Sequence, residues 1–256
     1  MNSGRQIHIK SPDELKIMRQ AGRINAEIMA TTKSMIQPGV STADLNAAAE
    51  NVLKKHGCYS PFKDYGQPPY PGSVCTSVNE ELVHGIPSKK RILREGDIVS
   101  VDCGTVFEGF VADSSFTAGV GEITPEAKNL LEVTEGALYA AIEKMCIGNH
   151  TGDVSAAIQT YVESRGLHVT REYTSHGVGR QMHEGPMVPN FGTAGSGIPL
   201  RAGMTIAIEP MVLIGTAETR VLRDQWTVVS ADKSLTAHFE HSVAVTEGEP
   251  LVLTLP

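Results

Sequence analysis

Apolar residues recur at helical spacing in four stretches of the chain. Behind Ser11-Pro12, the positions Ile17, Ala21, Ile24, Ile28 and Met35 fall with gaps of 4, 3, 4 and 7, which lays them on one helical face. Ser11 suits the N-cap, Pro12 the first turn, and Glu14 completes a capping box. A second helix is expected with Thr42 as its cap and Gly57 as its end. Thr124-Pro125 opens a third, carrying Leu130, Leu131, Leu138, Ile142 and Met145. Thr151 is expected to cap a fourth, with Val154, Ile158 and Val162 on one face and Gly166 as its stop. Other stretches read as β-ribbons: 98–103 with 110–116, and 204–212 with 226–229 and 239–246. Helices and ribbons do not alternate one for one, so the pattern predicts an antiparallel α+β fold, not a doubly wound sheet.

The pattern repeats. Gly39-x-x-Thr42-x-Asp44-Leu45-x-Ala47-Ala48 is matched by Gly148-x-x-Thr151-x-Asp153-Val154-x-Ala156-Ala157 at an offset of 109, and Gly57 pairs with Gly166 at the same offset. Leu93-Arg94-x-Gly96 leading to Asp102 is echoed by Leu200-Arg201-x-Gly203 leading to Glu209, at an offset of 107. Two matches in one order imply two similar halves, about 11–119 and 122–253, each built as helix, helix, long loop, ribbon.

Acids interrupt the ribbons. Asp102 and Asp113 stand within apolar, β-branched runs, where Asp is disfavoured. If Glu108-Gly109 forms a two-residue turn, residue 102 faces 115, and both aspartates share a sheet face about 7 Å apart. Two carboxylates that close repel unless a proton or cation lies between them. The second half places Glu209 where the first has Asp102, and adds Glu240 in its last ribbon. One such acid alone reads as a solvated face. Four at repeat-related places point to a cation site rich in oxygen, suited to Mn, Fe or Co, with Zn in range if an imidazole joins.

Imidazoles lie in the loops before each ribbon: His84 in Val83-His84-Gly85-Ile86-Pro87, His176 in Ser175-His176-Gly177-Val178-Gly179, and His183 in Met182-His183-Glu184-Gly185. The glycines beside them are expected to let backbone approach a ligand closely. His8, His56, His150 and His168 have no such context, and His238 has no assignment. His241, next to Glu240, points to the other face of its strand and reads as packing or as support behind the acids.

Composition narrows the class. The 256 residues carry 22 Lys+Arg against 29 Asp+Glu, a net charge of −7 without a basic run. That argues against a nucleic-acid or anionic-membrane surface. No apolar stretch approaches the roughly 18 residues a membrane span needs. Met1–Lys10 shows no leader pattern, and Cys58, Cys75, Cys103 and Cys146 form no C-x-x-C, so reduced thiols in the cytoplasm are expected.

Several longer motifs then stand in order: Ser73-Val74-Cys75-Thr76-Ser77-Val78-Asn79-Glu80 running into His84-Gly85-Ile86-Pro87, Val101-Asp102-Cys103-Gly104, Ala112-Asp113-Ser114-Ser115, Ser175-His176-Gly177-Val178-Gly179-Arg180, Ile208-Glu209-Pro210 and Phe239-Glu240-His241-Ser242. Over essentially the whole chain they resemble the type I methionine aminopeptidases, whose fold is shared with prolidase, aminopeptidase P and creatinase. The resemblance implies one catalytic metallopeptidase domain over 1–256 with the duplicated "pita-bread" fold: two αα-ββ halves about a pseudo-twofold axis, a central antiparallel sheet and helices outside. It implies five metal ligands, Asp102, Asp113, His176, Glu209 and Glu240, holding two divalent ions (Co, Mn, Fe, Zn or Ni). It places His84 and His183 beside the substrate, and Tyr70, Cys75 and Trp226 around the methionine side chain. Gln67 and Met182 stand where bacterial relatives often carry aromatics. The chain begins almost at its first helix, so the zinc-binding extension of eukaryotic type I enzymes, the helical insertion of type II enzymes and the additional domain of prolidases are expected to be absent.

The implied activity is cotranslational removal of the initiator methionine when the next residue is small. Water activated by the two ions attacks the first peptide bond. Glu209 moves the proton, His183 donates to the developing oxyanion, and His84 bonds the scissile nitrogen. The implied partners are nascent peptides bearing N-terminal Met, with transient ribosome contact, no membrane, and a monomeric cytoplasmic enzyme. Two alternatives remain at this point: an exopeptidase of the same fold that cuts X-Pro bonds, and a binding module that has lost the chemistry.

Overall fold

The computed structural model describes residues 6–256; the first five residues of the stretch read for a leader lie outside them. The described residues form four helices, α1 (Pro12–Ser34), α2 (Thr42–Lys55), α3 (Pro125–Ile142) and α4 (Thr151–Glu163). The first half carries strands β1 (Cys75–Val78), β2 (Glu81–Val83), β3 (Ile98–Phe107) and β4 (Phe110–Gly119). The second carries β5 (His168–Val169), β6 (Thr174–Gly177), β7 (Glu184–Pro189), β8 (Thr205–Ile208), β9 (Met211–Leu213), β10 (Thr219–Val221), β11 (Val228–Ser230), β12 (Thr236–His238), β13 (Glu240–Ala244) and β14 (Leu251–Val252).

The helix starts follow local chemistry. The Ser11 hydroxyl accepts from Glu14 N–H at 3.2 Å while the Glu14 carboxylate accepts from Ser11 N–H at 2.9 Å, the expected reciprocal box. Thr124 caps α3 through Ala127 N–H, also as expected. The caps of α2 and α4 differ from expectation by one residue. Ser41, not Thr42, caps α2, with Asp44 closing the box; His150, not Thr151, holds the cap position of α4, where Asp153 accepts from its N–H at 2.7 Å. The displaced threonines are used otherwise: Thr42 Oγ1 accepts from Ser88 N–H at 2.9 Å, and Thr151 Oγ1 from Ile198 N–H at 3.1 Å. In α1 the buried stripe is Met18, Ala21, Ile24 and Ile28; Ile17 and Met35 are only partly buried.

A central antiparallel sheet runs β1-β3-β4-β13-β8-β6-β7, with β14 on β13. Its order is symmetric about the β4–β13 junction: β3 and β8 flank it, and β1 and β6 lie beyond them. Helices pack on the outside, α1 against β3 and β4, and α3 against β8 and β13, and one apolar cluster runs through both halves. The second ribbon departs from expectation. Pro210, which has no N–H to give a ladder, splits 204–212 into β8 and β9, and β11 pairs with β2 and β10 instead of β8.

The two halves take the same local geometry. Ser41 bridges to Ile92 as His150 bridges to Pro199. Gly39 and Gly148 have φ of 95° and 97°, a region L side chains avoid. Neither glycine has any atom that an added Cβ would meet within 4 Å, so substitution strains only the backbone. Gly39→Ala and Gly148→Ala should therefore each lower the unfolding free energy by about 1–2 kcal/mol, as measured by urea denaturation. A neutral result at either position would show that the conformation is not enforced there.

Candidate active site

Glu108 and Gly109 close the β3–β4 hairpin with φ of 47° and 77°, the left-handed pair that a two-residue turn requires. The register is the expected one, Asp102 opposite Ser115 and Gly104 opposite Asp113. Across the junction Glu240 lies opposite the same Ser115. Residues directly opposite one another share a face, so Asp102, Asp113 and Glu240 all project to one side of the sheet. Glu209 follows β8, its N–H donating to Ser175 Oγ at 2.9 Å. His176 sits in β6 opposite Ala207, its Nδ1 3.0 Å from Gly177 O and its Nε2 3.4 Å from Glu209 Oε1.

Ligand atoms of Asp113, His176 and Glu240 lie within 4.8 Å of one another, and Asp102 and Glu209 line the same pocket. The electrostatics are those of a crowded anion site. Burial pushes Asp113 up to about 7. Burial raises Asp102 well above the usual carboxylate range, and the neighbouring Asp113 carboxyl raises it further. Burial and the neighbouring acids likewise raise Glu209 and Glu240. Asp102 Oδ1, Asp113 Oδ1 and Glu240 Oε1 are buried without a hydrogen-bond partner. Buried acceptors facing one another in this way fit a divalent cation, with mixed oxygen and imidazole donors that suit a transition metal.

The remaining expected residues converge on this pocket. His84, at φ 60°, and His183, just before β7, both line it, as do Tyr70, Cys75 and Trp226. Tyr70 and Trp226 meet edge to face at 5.2 Å, and Tyr70 Oη donates to Gly85 O at 2.8 Å. Burial lowers His84 to about 4, so its ring is neutral at physiological pH. Chain packing requires glycine at Gly85 and Gly177: a Cβ on either would strike backbone, Thr76 O in one case and Gly185 O in the other. Met182 lines the pocket, whereas Gln67 is exposed and is not among the lining residues; Phe62 and Tyr65 supply aromatic wall instead.

His238 is the residue the sequence reading left unassigned. It is 2% exposed, with Nε2 3.6 Å from Glu209 Oε2 and 3.8 Å from Glu240 Oε2, and burial lowers it to about 3. Its spacing of two from Glu240 in an extended segment was the available signal, since that spacing puts both on one face.

The profile of metallopeptidase family M24 matches residues 16–247. The chain belongs to metallopeptidase family M24. A methionine aminopeptidase of Clostridium acetobutylicum is 48% identical over 97% of this chain and 99% of its own length. Methionine aminopeptidase 1 of Bacillus subtilis is 48% identical over 94% of this chain and 96% of its own. The crystal structure of a Thermotoga maritima methionine aminopeptidase superposes with a TM-score of 0.96 at 43% identity, covering 98% of this chain and 100% of that one. Prolidase from Pyrococcus furiosus, at 21% identity and a TM-score of 0.78, shares the fold and extends beyond it, since the match covers 65% of its chain. M24 membership makes the protein a hydrolase dependent on divalent metal, with the pita-bread α+β fold. No helix among the described residues is long and apolar enough to cross a membrane.

The raised carboxyls set the stability of the chelated protein. A folded-state value of about 7 for Asp113, against 3.8 ordinarily, means the native state keeps a proton the unfolded chain gives up. Native stability in excess chelator should therefore fall as pH climbs between those two values, and the other raised acids, Asp102, Glu209 and Glu240, add to that fall. Mn or Co should raise the melting temperature most at the high end, where the acids are charged. Thermal melts from about pH 5 to about pH 8, with and without metal, check both slopes. A melting temperature that ignores chelator at every pH would mean that the acids hold no cation.

Proposed function

We propose that the protein removes N-terminal methionine from nascent peptides whose second residue is small. The observation that carries this reading is one pocket with a floor of Asp102, Asp113, His176, Glu209 and Glu240 and a wall of Tyr70, Cys75 and Trp226. The full-length similarity to proteins named methionine aminopeptidase supports it. The five donors would hold two divalent ions drawn from Co, Mn, Fe, Zn or Ni. Bound there, such ions would supply an activated water nucleophile near neutral pH and a counter-charge as negative charge develops.

The chain's own residues do the rest. Glu209 accepts a proton from the attacking water and passes it to the leaving amine. His183 donates to the oxygen of the scissile carbonyl as negative charge builds there. His84, neutral and held edge-on to Tyr173 at 5.9 Å and to Trp226 at 6.2 Å, bonds the scissile nitrogen. The thioether of methionine lies against the aromatic wall, where sulfur–ring contact and an unbranched chain are accommodated. On this reading residues 1–256 act as one catalytic domain with halves 11–119 and 122–253. The enzyme works in the cytoplasm as a monomer, touches the ribosome transiently, and recognises neither nucleic acid nor membrane, in keeping with a net charge of −7.

Peptide assays test the specificity. Met-Ala and Met-Gly peptides should be cut, norleucine tolerated in place of methionine, and Met-Lys and Met-Leu hardly touched. Efficient cleavage of Lys-Ala or Ala-Pro would sink the methionine assignment and leave the metallopeptidase standing.

The two histidines separate in a second experiment. His176→Ala should lower bound metal per chain, with partial recovery of activity in excess metal. His183→Ala should keep its metal and melting temperature while kcat and kcat/KM fall together by about 10²–10³, the usual loss of one oxyanion donor. Elemental analysis and steady-state kinetics on both variants decide. Metal loss in the His183 variant, or full metal and turnover in the His176 variant, would reverse the assignment.

A further inference from the structure

We infer that Tyr65 is a positioning residue for His183, its hydroxyl fixing which ring nitrogen carries the proton. The inference rests on the role proposed above for His183 and deepens it. Tyr65 Oη lies 3.0 Å from His183 Nδ1, and the two rings are tilted by 52° at a centroid distance of 5.5 Å. His183 in turn lies 4.4 Å from the His176 ring, so its imidazole reaches over the acid cluster from the tyrosine side.

The chemistry of the pair sets its direction. A phenol O–H can donate a hydrogen bond. A neutral imidazole has one donor nitrogen and one acceptor nitrogen. When Tyr65 O–H donates to Nδ1, the imidazole proton resides on Nε2. That leaves Nε2–H as the group able to donate to a developing oxyanion. The opposite tautomer would present a lone pair there and repel the same charge.

The loop that carries Tyr65 is fixed to the pocket wall. Tyr65 N–H donates to Phe62 O at 3.0 Å, and Tyr65 O accepts from Tyr70 N–H at 2.8 Å. The next residue, Gly66, lies flat under Trp226; a Cβ there would come within 2.6 Å of the indole ring. Trp226 Nε1 donates to Pro68 O at 3.0 Å, which closes the other side of the loop. The phenol is 44% exposed, so its own burial adds little, and what holds it is this backbone and the bond to His183.

The test compares Tyr65→Phe, which removes only the hydroxyl, with His183→Ala and with the double variant. In zinc-loaded protein labelled with 15N-histidine, wild-type His183 should show a protonated Nε2 and a pyridine-like Nδ1, assigned by their loss in His183→Ala. Tyr65→Phe should bring in the Nδ1–H form. Its kcat and kcat/KM should fall together roughly 5-fold, the loss of one neutral hydrogen bond, with KM, metal content and melting temperature unchanged. In the His183→Ala background, Tyr65→Phe should change nothing more. An unaltered His183 spectrum, an unaltered kcat, or an equal loss in the double variant overturns the role of Tyr65. Full turnover by His183→Ala would instead overturn the underlying role of His183.

Discussion

Four carboxylates cannot stay charged together on one buried centre without a counter-charge. Asp102, Asp113, Glu209 and Glu240 all have raised pKa values, with burial as the main cause and each other's charge adding to it for three of them. Two of the nearby imidazoles, His84 and His238, do not relieve this, because burial holds them neutral. Protons can fill the gap at low pH. Near neutrality the remaining solution is a divalent cation, which must displace those protons in order to bind. Metal loading, native stability and pH are therefore one coupled equilibrium in this protein.

The fold makes that crowding possible at a single seam. The β4–β13 ladder is short, pairing only Glu240 with Ser115 and His241 with Ser114. Side-chain hydroxyls extend it in both directions. Ser242 Oγ accepts from Asp113 N–H and donates to Asp113 O, each at 2.9 Å. Thr117 Oγ1 accepts from His238 N–H at 3.0 Å and donates to His238 O at 2.8 Å. These buried bonds fix the register on either side of the acids. A slip of one residue would send Glu240 to the opposite face and leave its carboxylate among the apolar side chains under the helices.

Much of this was legible in the sequence because it is encoded by local rules. Gly39 with Gly148, and the Leu-Arg-x-Gly pairs, disclosed the duplication. The Glu108-Gly109 turn gave the Asp102–Asp113 register. Loop position and neighbouring glycines singled out His84, His176 and His183, and the resemblance gave them roles. What was illegible depended on tertiary partners. The caps at Ser41 and His150 displaced the expected threonines because Ser88 and Ile198 needed acceptors. Pro210 follows the acid directly and β8 ends at Ile208, while β11 found a partner in the other half of the chain. His238 has no assignment from the sequence, although its spacing of two from Glu240 places both on one face of an extended segment.

The site divides into parts under different constraints. The floor is drawn from strands on both sides of the seam, so its residues are locked by register and by hydroxyls that also hold the sheet together. The wall comes from two loops, 59–75 and the turn before β11, joined through Trp226 and Pro68. A substitution in those loops can reshape the side-chain pocket without moving an acid. Gln67 is exposed and Met182 lines the pocket, and neither is among the acids. Tyr65 belongs to the loops by chain position but reaches the reacting centre through His183. Variation in the wall at that one point therefore bears on turnover as well as on fit.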